Sequence, residues 1–190
     1  MYFLLSANSR PRRRVNKKPF VKGLKWWRGA VISIDIPDPL EFELSSYEPA
    51  SPDEDQYMAT LIFTNPPLWR DDFIQALRDC GVNNFDTYNA AVTDPDDGSI
   101  ATNYKSVNVL GLVAAADMQK SIATVHDGIP LIDVDFDNLV VDEDRVKNIK
   151  MFRLAESTNA ILVHESLRDC LLEKGFGADI AFYSLEEAAI

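Results

Sequence analysis

Cysteine and histidine are scarce in this sequence of 190 residues, which contains two of each. Neither pair shows the CxxC, HxxxH or HxxE spacing of common zinc sites. Two thiols make no disulfide framework, and Cys80 and Cys170 each fall late in a predicted helix, on an apolar face where a buried thiol is inert. The sequence therefore predicts unpaired cysteines, no metal, no cofactor and a reducing compartment.

Glycine is also scarce, and the glycine-rich motifs that hold phosphate are missing. The chain has no P-loop, no GxGxxG and no GxSxG nucleophile elbow. The acidic turn at 94–98 fails the EF-hand pattern, because Gly98 falls at position five and Lys105 at position twelve. These absences predict that the protein is not an enzyme, although an unrecognised small enzyme with a Cys–His or carboxylate site remains an alternative.

Long apolar runs are missing as well. No stretch reaches the roughly 18 apolar residues that a membrane-spanning helix needs. The opening MYFLLSANSRPRRR places a short apolar run before the charges, whereas a secretory signal has the reverse order and a longer apolar core. We therefore expect no membrane partner and a cytoplasmic location.

Acidic residues are absent from the first 28 positions, which hold nine of the 19 Lys and Arg residues. The remaining 162 residues carry all 30 acids against ten bases, although the net charge of the chain is only -11. A field of this sign repels nucleic acid and attracts basic partners. Solubility alone would also explain most of these charges.

The basic segment 9–25 has no periodicity and is predicted to be an exposed, mobile loop. Together with Trp26 and Trp27 it mixes cations and aromatic rings, as proteins that bind single-stranded nucleic acid do. The acidic remainder makes nucleic-acid binding the weaker interpretation. The two tryptophans are instead expected to anchor the chain in the core.

Alternating apolar and polar residues predict strands through most of the chain. The predicted strands are 1–5, 26–37, 40–45, 59–65, 84–93, 104–113, 131–138, 150–155, 160–164 and 178–185. Two helices are predicted, one after Pro66 and Pro67 that ends before Gly81, and one at 165–174 that ends before Gly175. Both helices end near the tripeptide RDC between two strands, a similarity that common packing patterns explain.

Strands outnumber helices and do not alternate regularly with them. This order favours an α+β fold, with a mixed or antiparallel sheet and a few short helices packed on it. Residues 1–190 are predicted to form a single domain, with a more variable N-terminal part at 1–58 and a core region at 59–190.

Five segments in this order carry a resemblance to a known family: MYFLL, WWRGAVISIDIPDPLEFEL, NPPLWRDDFIQALRDCGVNNFDTY, YKSVNVLGLVAAADMQKS and MFRLAESTNAILVHESLRDCLLEKGFGADIAFYSL. The set resembles the immunity proteins of bacterial polymorphic-toxin systems, specifically immunity protein family eleven, once catalogued only as a domain of unknown function. Two departures are His164, where a small helix cap such as serine is expected, and the strongly basic loop 9–25.

The resemblance implies a cytoplasmic protein that binds and neutralises a cognate toxin delivered by contact-dependent secretion. Inhibition would occur by occlusion of the toxin's active site, and the resemblance brings no catalytic residue. The segment 104–121 is accordingly expected to be structural: Asn108 and Asp117 bond backbone groups in the turn that follows, and Ser121 braces the next segment.

An acidic inhibitor gains association rate from a basic partner. We therefore expect a toxin that is basic around its active site, with a nuclease as the first candidate. The acids expected to contact the toxin lie in a loop, a turn and a strand face: Asp53, Glu54 and Asp55; Asp94, Asp96 and Asp97; and Asp133, Asp135 and Asp137. The alternative function is a nucleic-acid or regulatory binding protein that uses the basic N-terminal loop.

Overall fold

A computed structural model describes residues 1–8, 13–46, 58–126, 134–186 and 190. Within these residues the strands are β1 (Tyr2–Ala7), β2 (Val15–Lys17), β3 (Leu40–Leu44), β4 (Leu61–Ile62), β5 (Leu68–Arg70), β6 (Phe85–Thr93), β7 (Ile100–Ala101), β8 (Tyr104–Val109), β9 (Leu112–Val113), β10 (Ile122–Val125), β11 (Val134–Asn138), β12 (Met151–Leu154), β13 (Ile161–His164) and β14 (Ile180–Ser184). The α-helices are α1 (Asp71–Asp79) and α2 (Glu165–Glu173), and short 3₁₀ helices cover Trp26–Arg28, Glu143–Val146 and Phe176–Ala178. This content confirms the predicted α+β fold.

The described strands form two sheets and a separate ribbon. Sheet I has the order β14-β1-β13-β12-β9 and is antiparallel except for the parallel pair β12 and β9. Sheet II has the order β2-β3-β6-β8-β5-β4, with β7 paired to β6, and its parallel pair is β3 and β6. Strands β10 and β11 pair only with each other among the named strands, and we call them the β10–β11 ribbon.

Sheet I is covered on both faces because its strands alternate two sets of apolar residues. Leu5 and Ala7 of β1 pack in one core cluster with α1 and α2, whereas Tyr2 and Leu4 pack in another with the β10–β11 ribbon. The helices and the ribbon therefore lie on opposite faces of sheet I. This arrangement leaves the outer face of the ribbon exposed.

Strand β3 confirms the predicted alternation. Leu40, Phe42 and Leu44 are buried in the core cluster on one face of sheet II, while Glu41 is exposed. Both α-helices also end where predicted. Gly81 and Gly175 each follow a helix with a positive φ, which glycine adopts without steric cost.

The predicted strand at 26–37 is wrong. Trp26–Arg28 is a 3₁₀ helix, the following residues are irregular, and Val31 is 71% exposed. At Gly29 the chain turns with a φ of 60°, and its carbonyl oxygen accepts a 2.7 Å hydrogen bond from Gly111 N. A Cβ at Gly29 would lie 2.9 Å from the backbone of Gly111, so this close approach interrupts the β-branched run. Of the two tryptophans predicted to anchor the chain in the core, Trp26 is buried and Trp27 is only half-buried.

Helix α1 begins at Asp71, after the short strand β5 that follows the two prolines. Strand β5 was not predicted, and it forms by pairing with β4 and β8. Residues 118–120 form a turn that leads into β10.

The prediction of unpaired, inert cysteines is wrong. Cys80 and Cys170 form a disulfide that joins the C-terminal end of α1 to α2 across 90 residues of sequence. Both cysteines belong to the core cluster in which α1 contacts α2, with α1 packed against β5 of sheet II and α2 against β1 and β13 of sheet I.

Candidate functional site

Of the predicted toxin-contacting acids, Asp53, Glu54, Asp55 and Asp133 lie outside the described residues. The structure therefore places the turn at 94–97 and the two remaining acids of β11. Their geometries differ, and the difference matters for any experiment that reverses their charge.

The turn that holds Asp94 and Asp96 is tied to the basic segment. Arg13 is only 3% exposed, and its guanidinium donates to both carboxylate oxygens of Asp94, at 2.8 and 3.0 Å. It also donates to Asp96 at 3.1 Å and to the Ser45 carbonyl oxygen at 2.9 Å. The hydrogen bond from Arg13 is the main reason that the pKa of Asp94 is lowered.

Asp94 is half-buried rather than exposed as predicted, whereas Asp96 is exposed. Their carboxylates neutralise a buried guanidinium and hold β2 and β3 near the turn. Asp97 remains exposed, and it accepts a hydrogen bond from Ser99 N. The basic segment 9–25 was predicted to be a mobile loop, but its residues Val15–Lys17 form strand β2, which pairs with β3.

The β10–β11 ribbon keeps its predicted acidic outer face. Val134 and Phe136 are buried, whereas Asp135 and Asp137 are exposed. Cross-strand pairing puts Thr124 opposite Asp135, and the neighbouring Ile122 is 62% exposed. The His126 Nε2 lies 2.7 Å from an Asp135 carboxylate oxygen. The described part of the ribbon thus combines two exposed carboxylates with the exposed apolar side chains of Ile122 and Val125.

The segment 104–121 has structural contacts. The Tyr104 hydroxyl donates to the Ala59 carbonyl oxygen, and Asp117 accepts from Gln119 N. Ser121 Oγ accepts from Val140 N, which confirms the predicted brace. Asn108 was expected to bond within the following turn, but its amide donates instead to the Ala30 carbonyl oxygen.

The histidines and cysteines do not form the pair that the enzyme alternative would need. His164 caps α2 by accepting a hydrogen bond from Ser166 N at 3.2 Å, a role the sequence predicted for this position. The sulfur atoms of Cys80 and Cys170 are bonded to each other. Neither is therefore available as a thiolate nucleophile in this oxidised form.

The described ranges also lack two other classes of site. No group of three or more His, Cys, Asp or Glu side chains in those ranges is close enough to hold a metal ion. No helix there has both the length and the apolar character needed to cross a membrane.

Sequence reasoning missed two buried arginines that the tertiary structure makes prominent. Arg13 belongs to a run of cations in the sequence, and nothing local distinguishes it from Arg14. Arg153 lies in strand β12, and all four residues of this strand are buried. A cation within an apolar strand was the available signal for Arg153.

Comparison of the sequence with known proteins assigns neither a family nor a function to the chain. No protein-family model matches the sequence, and a search of curated proteins finds no match either. The resemblance to immunity protein family eleven therefore stays a prediction from the sequence, as do the toxin partner and the absence of catalysis.

Proposed function

We propose that this protein binds and neutralises a cognate secreted bacterial toxin, and that the outer face of the β10–β11 ribbon forms part of the contact surface. The observation that supports the proposal best is that this one ribbon carries exposed Asp135 and Asp137 on β11 and exposed Ile122 on β10. Carboxylates of this kind steer a basic partner to the surface, and apolar side chains between them contribute to retention.

Inhibition would occur by occlusion. A standard interface buries about 1,600 Å² in total, so the ribbon would supply one part of it and adjoining surface the rest. Toxin–immunity pairs of the nuclease type rank among the tightest complexes known, because a small escape of enzyme is lethal. A nuclease is the preferred toxin class, since its active site must be basic to bind nucleic acid.

The structure gives less support to the alternative function and to the predicted location. The nucleic-acid alternative relies on the basic segment, but Arg13 is already neutralised by two carboxylates. The predicted cytoplasmic location has an observation against it, because disulfides are rare in reducing compartments and this fold contains one. The location is therefore a separate question from toxin binding.

Co-expression tests the proposal. The toxin to use is the variable C-terminal domain of a large secreted protein encoded directly upstream. The wild-type chain should restore growth to cells that make this domain. The double variant Asp135→Lys and Asp137→Lys should lower the association rate constant about tenfold at low salt, because the charge that steers the toxin has been reversed. Association is measured by surface plasmon resonance at several salt concentrations.

The matched control reverses two acids on the opposite face of sheet I. Asp169 and Glu173 are exposed on α2, so Asp169→Lys with Glu173→Lys makes the same change in net charge away from the ribbon. The control should bind at the wild-type rate. Equal slowing of both variants would reject the ribbon as the contact surface, and failure of the wild-type chain to protect cells or bind toxin would reject the function itself.

A further inference from the structure

A cavity of about 300 Å³ lies between the two sheets. It forms where the 3₁₀ helix Trp26–Arg28, the connection between β4 and β5, and strands β12 and β13 meet. Its apolar walls come from Trp26, Trp27, Phe63, Pro67 and Ile161. The volume is at the lower end of the range for small-molecule sites, which are mostly apolar with a few polar groups that orient the ligand.

Four polar residues also line the cavity, namely Thr64, Asn65, Arg153 and Asn159, and Arg153 is the unusual one. Arg153 lines it and is 5% exposed. Its Nη1 donates to the Thr158 carbonyl oxygen, whereas Nε has no hydrogen-bond partner within the described residues. Burial alone lowers the pKa of Arg153 to about 10, so the guanidinium keeps its charge at neutral pH.

A buried charge without a counter-ion is costly to a folded protein. Arg13 shows the usual solution in the same chain, with two carboxylates bonded to its guanidinium. No described carboxylate forms an ion pair with Arg153, whose pKa is perturbed by desolvation only. Departures of this kind from the rule that buried charges are paired concentrate at functional sites.

The surroundings of the cavity favour an anion that also has a flat apolar part. Lys25 and Arg28 lie 5.5 and 5.6 Å from the centre of the Trp27 ring, which adds two cations beside the cavity. The body of the chain is otherwise strongly acidic. The indole and phenyl side chains among the lining residues can pack against a ring.

We propose that this cavity binds a small carboxylate with a flat apolar body, the carboxylate pairing with Arg153 and the ring packing against Trp26 and Trp27. A planar guanidinium matches a carboxylate well, because two parallel N–H groups can meet its two oxygen atoms. The cavity is too small for a whole nucleotide, and its lining contains no glycine-rich loop of the kind that cradles phosphate.

Two sources can present this chemistry: a free aromatic acid, and the C-terminal carboxylate of a peptide that ends in an aromatic residue. Either would enter on the face of sheet I that carries Ile161, opposite the face that packs against the β10–β11 ribbon. The site is therefore independent of the proposed toxin contact, and each can fail without the other.

Isothermal titration calorimetry of the full chain tests the site with four probes: indole-3-propionate, its primary amide, the peptide Gly-Gly-Gly-Trp with a free C-terminus, and the same peptide amidated. We expect at least one carboxylate to bind, and its amide to bind at least about tenfold more weakly because the charge-assisted bond is lost. Preference for the acid or for the peptide identifies the source.

Arg153→Met should lower the affinity for the carboxylate at least about tenfold while leaving the midpoint of thermal unfolding unchanged or raised, since an unpaired buried charge has been replaced by an apolar side chain. Arg78→Met is the matched control, because Arg78 is an exposed cation of α1 that does not line the cavity. It should bind like the wild type. A purely structural role for Arg153 predicts the reverse, with lower stability of the variant and no ligand.

Three results would overturn the proposal: no Arg153-dependent binding of either carboxylate at millimolar concentration, equal binding of acid and amide, or Arg153-dependent binding of inorganic phosphate that exceeds that of both carboxylates. The last result would keep an anion site but replace its ligand class.

Discussion

Removal of the Cys80–Cys170 disulfide is expected to lower the free energy of unfolding by about 4.6 kcal/mol, the chain-entropy estimate for a bond that spans 90 residues. The bond restricts the unfolded chain, and a long closed segment loses more entropy than a short one. Because native proteins are stable by only about 5–15 kcal/mol, this loss would be a large part of the total.

The measurement is equilibrium unfolding in urea, followed by tryptophan fluorescence, for the wild type and for Cys80→Ala with Cys170→Ala, each with and without dithiothreitol. Reductant should destabilise the wild type and leave the double variant unchanged. Each single variant should lose nearly as much as the double variant, because either substitution removes the whole bond. Two reactive thiols in the untreated native protein, with no effect of reductant, would contradict the disulfide.

The same experiment bears on where the protein works. The prediction of a reducing compartment assumed unpaired thiols, and the disulfide removes that basis. Free thiols can be blocked with an alkylating reagent inside the protein's own cells before purification. Counting the blocked cysteines would then show whether the reduced or the disulfide form exists there. If the cytoplasmic location is right, the reduced form must retain enough stability to bind toxin without the bond.

Replacement of Arg13 by alanine is expected to lower the free energy of unfolding by about 3 kcal/mol at pH 7, the lower end for breaking a buried ion pair. Arg13 is buried, and its loss would leave Asp94 and Asp96 facing each other without their shared cation. Asp94→Lys should destabilise the fold for the converse reason, since it would place a second cation against the guanidinium. Urea unfolding of each variant measures both effects.

Arg14→Ala is the matched control, because Arg14 is adjacent in sequence but exposed. It should unfold like the wild type. Equal stability of the Arg13 and Arg14 variants would show that the ion pairs contribute nothing to folding. Charge reversal at Asp94 or Asp96 is thus a poor probe of toxin binding, since slower association could reflect a damaged fold.

The stabilisation by Arg13 should also depend on pH. The folded state lowers the pKa of Asp94, so this carboxylate contributes stability that is complete above the unfolded value near pH 4 and is lost as the pH falls through the folded value. The difference between wild type and Arg13→Ala should therefore shrink below about pH 4. A difference that stays constant down to pH 2 would contradict the contribution of the paired carboxylates.

Local patterns in the sequence predicted much of the secondary structure. Alternation in LEFEL gives β3 its buried and exposed faces, and glycines after each helix mark the two helix ends. These features depend on residues only a few positions apart, so a short stretch of sequence is enough to predict them. The acidic outer face of β11 was predicted in the same way, and Asp135 and Asp137 are exposed as expected.

Pairing between distant residues was not predictable from one sequence. Arg13 meets Asp94 across 81 residues, and a run of cations does not show which of its members is buried. The strand predicted at 26–37 failed for a related reason, since β-branched residues favour a strand only where a partner strand is present. Its chain contacts Gly111 instead.

The sequence by itself determined the class of fold, the positions of most strands and both helices, and the acidic character of the surface, because these follow from local periodicity and from charge. Only the tertiary structure decided that the two cysteines join, which arginine the turn acids neutralise, and which arginine lines a cavity without a counter-ion. Those outcomes depend on how sheets and helices pack, and burial changes the energy of a charge or a thiol far more than its neighbours in sequence do.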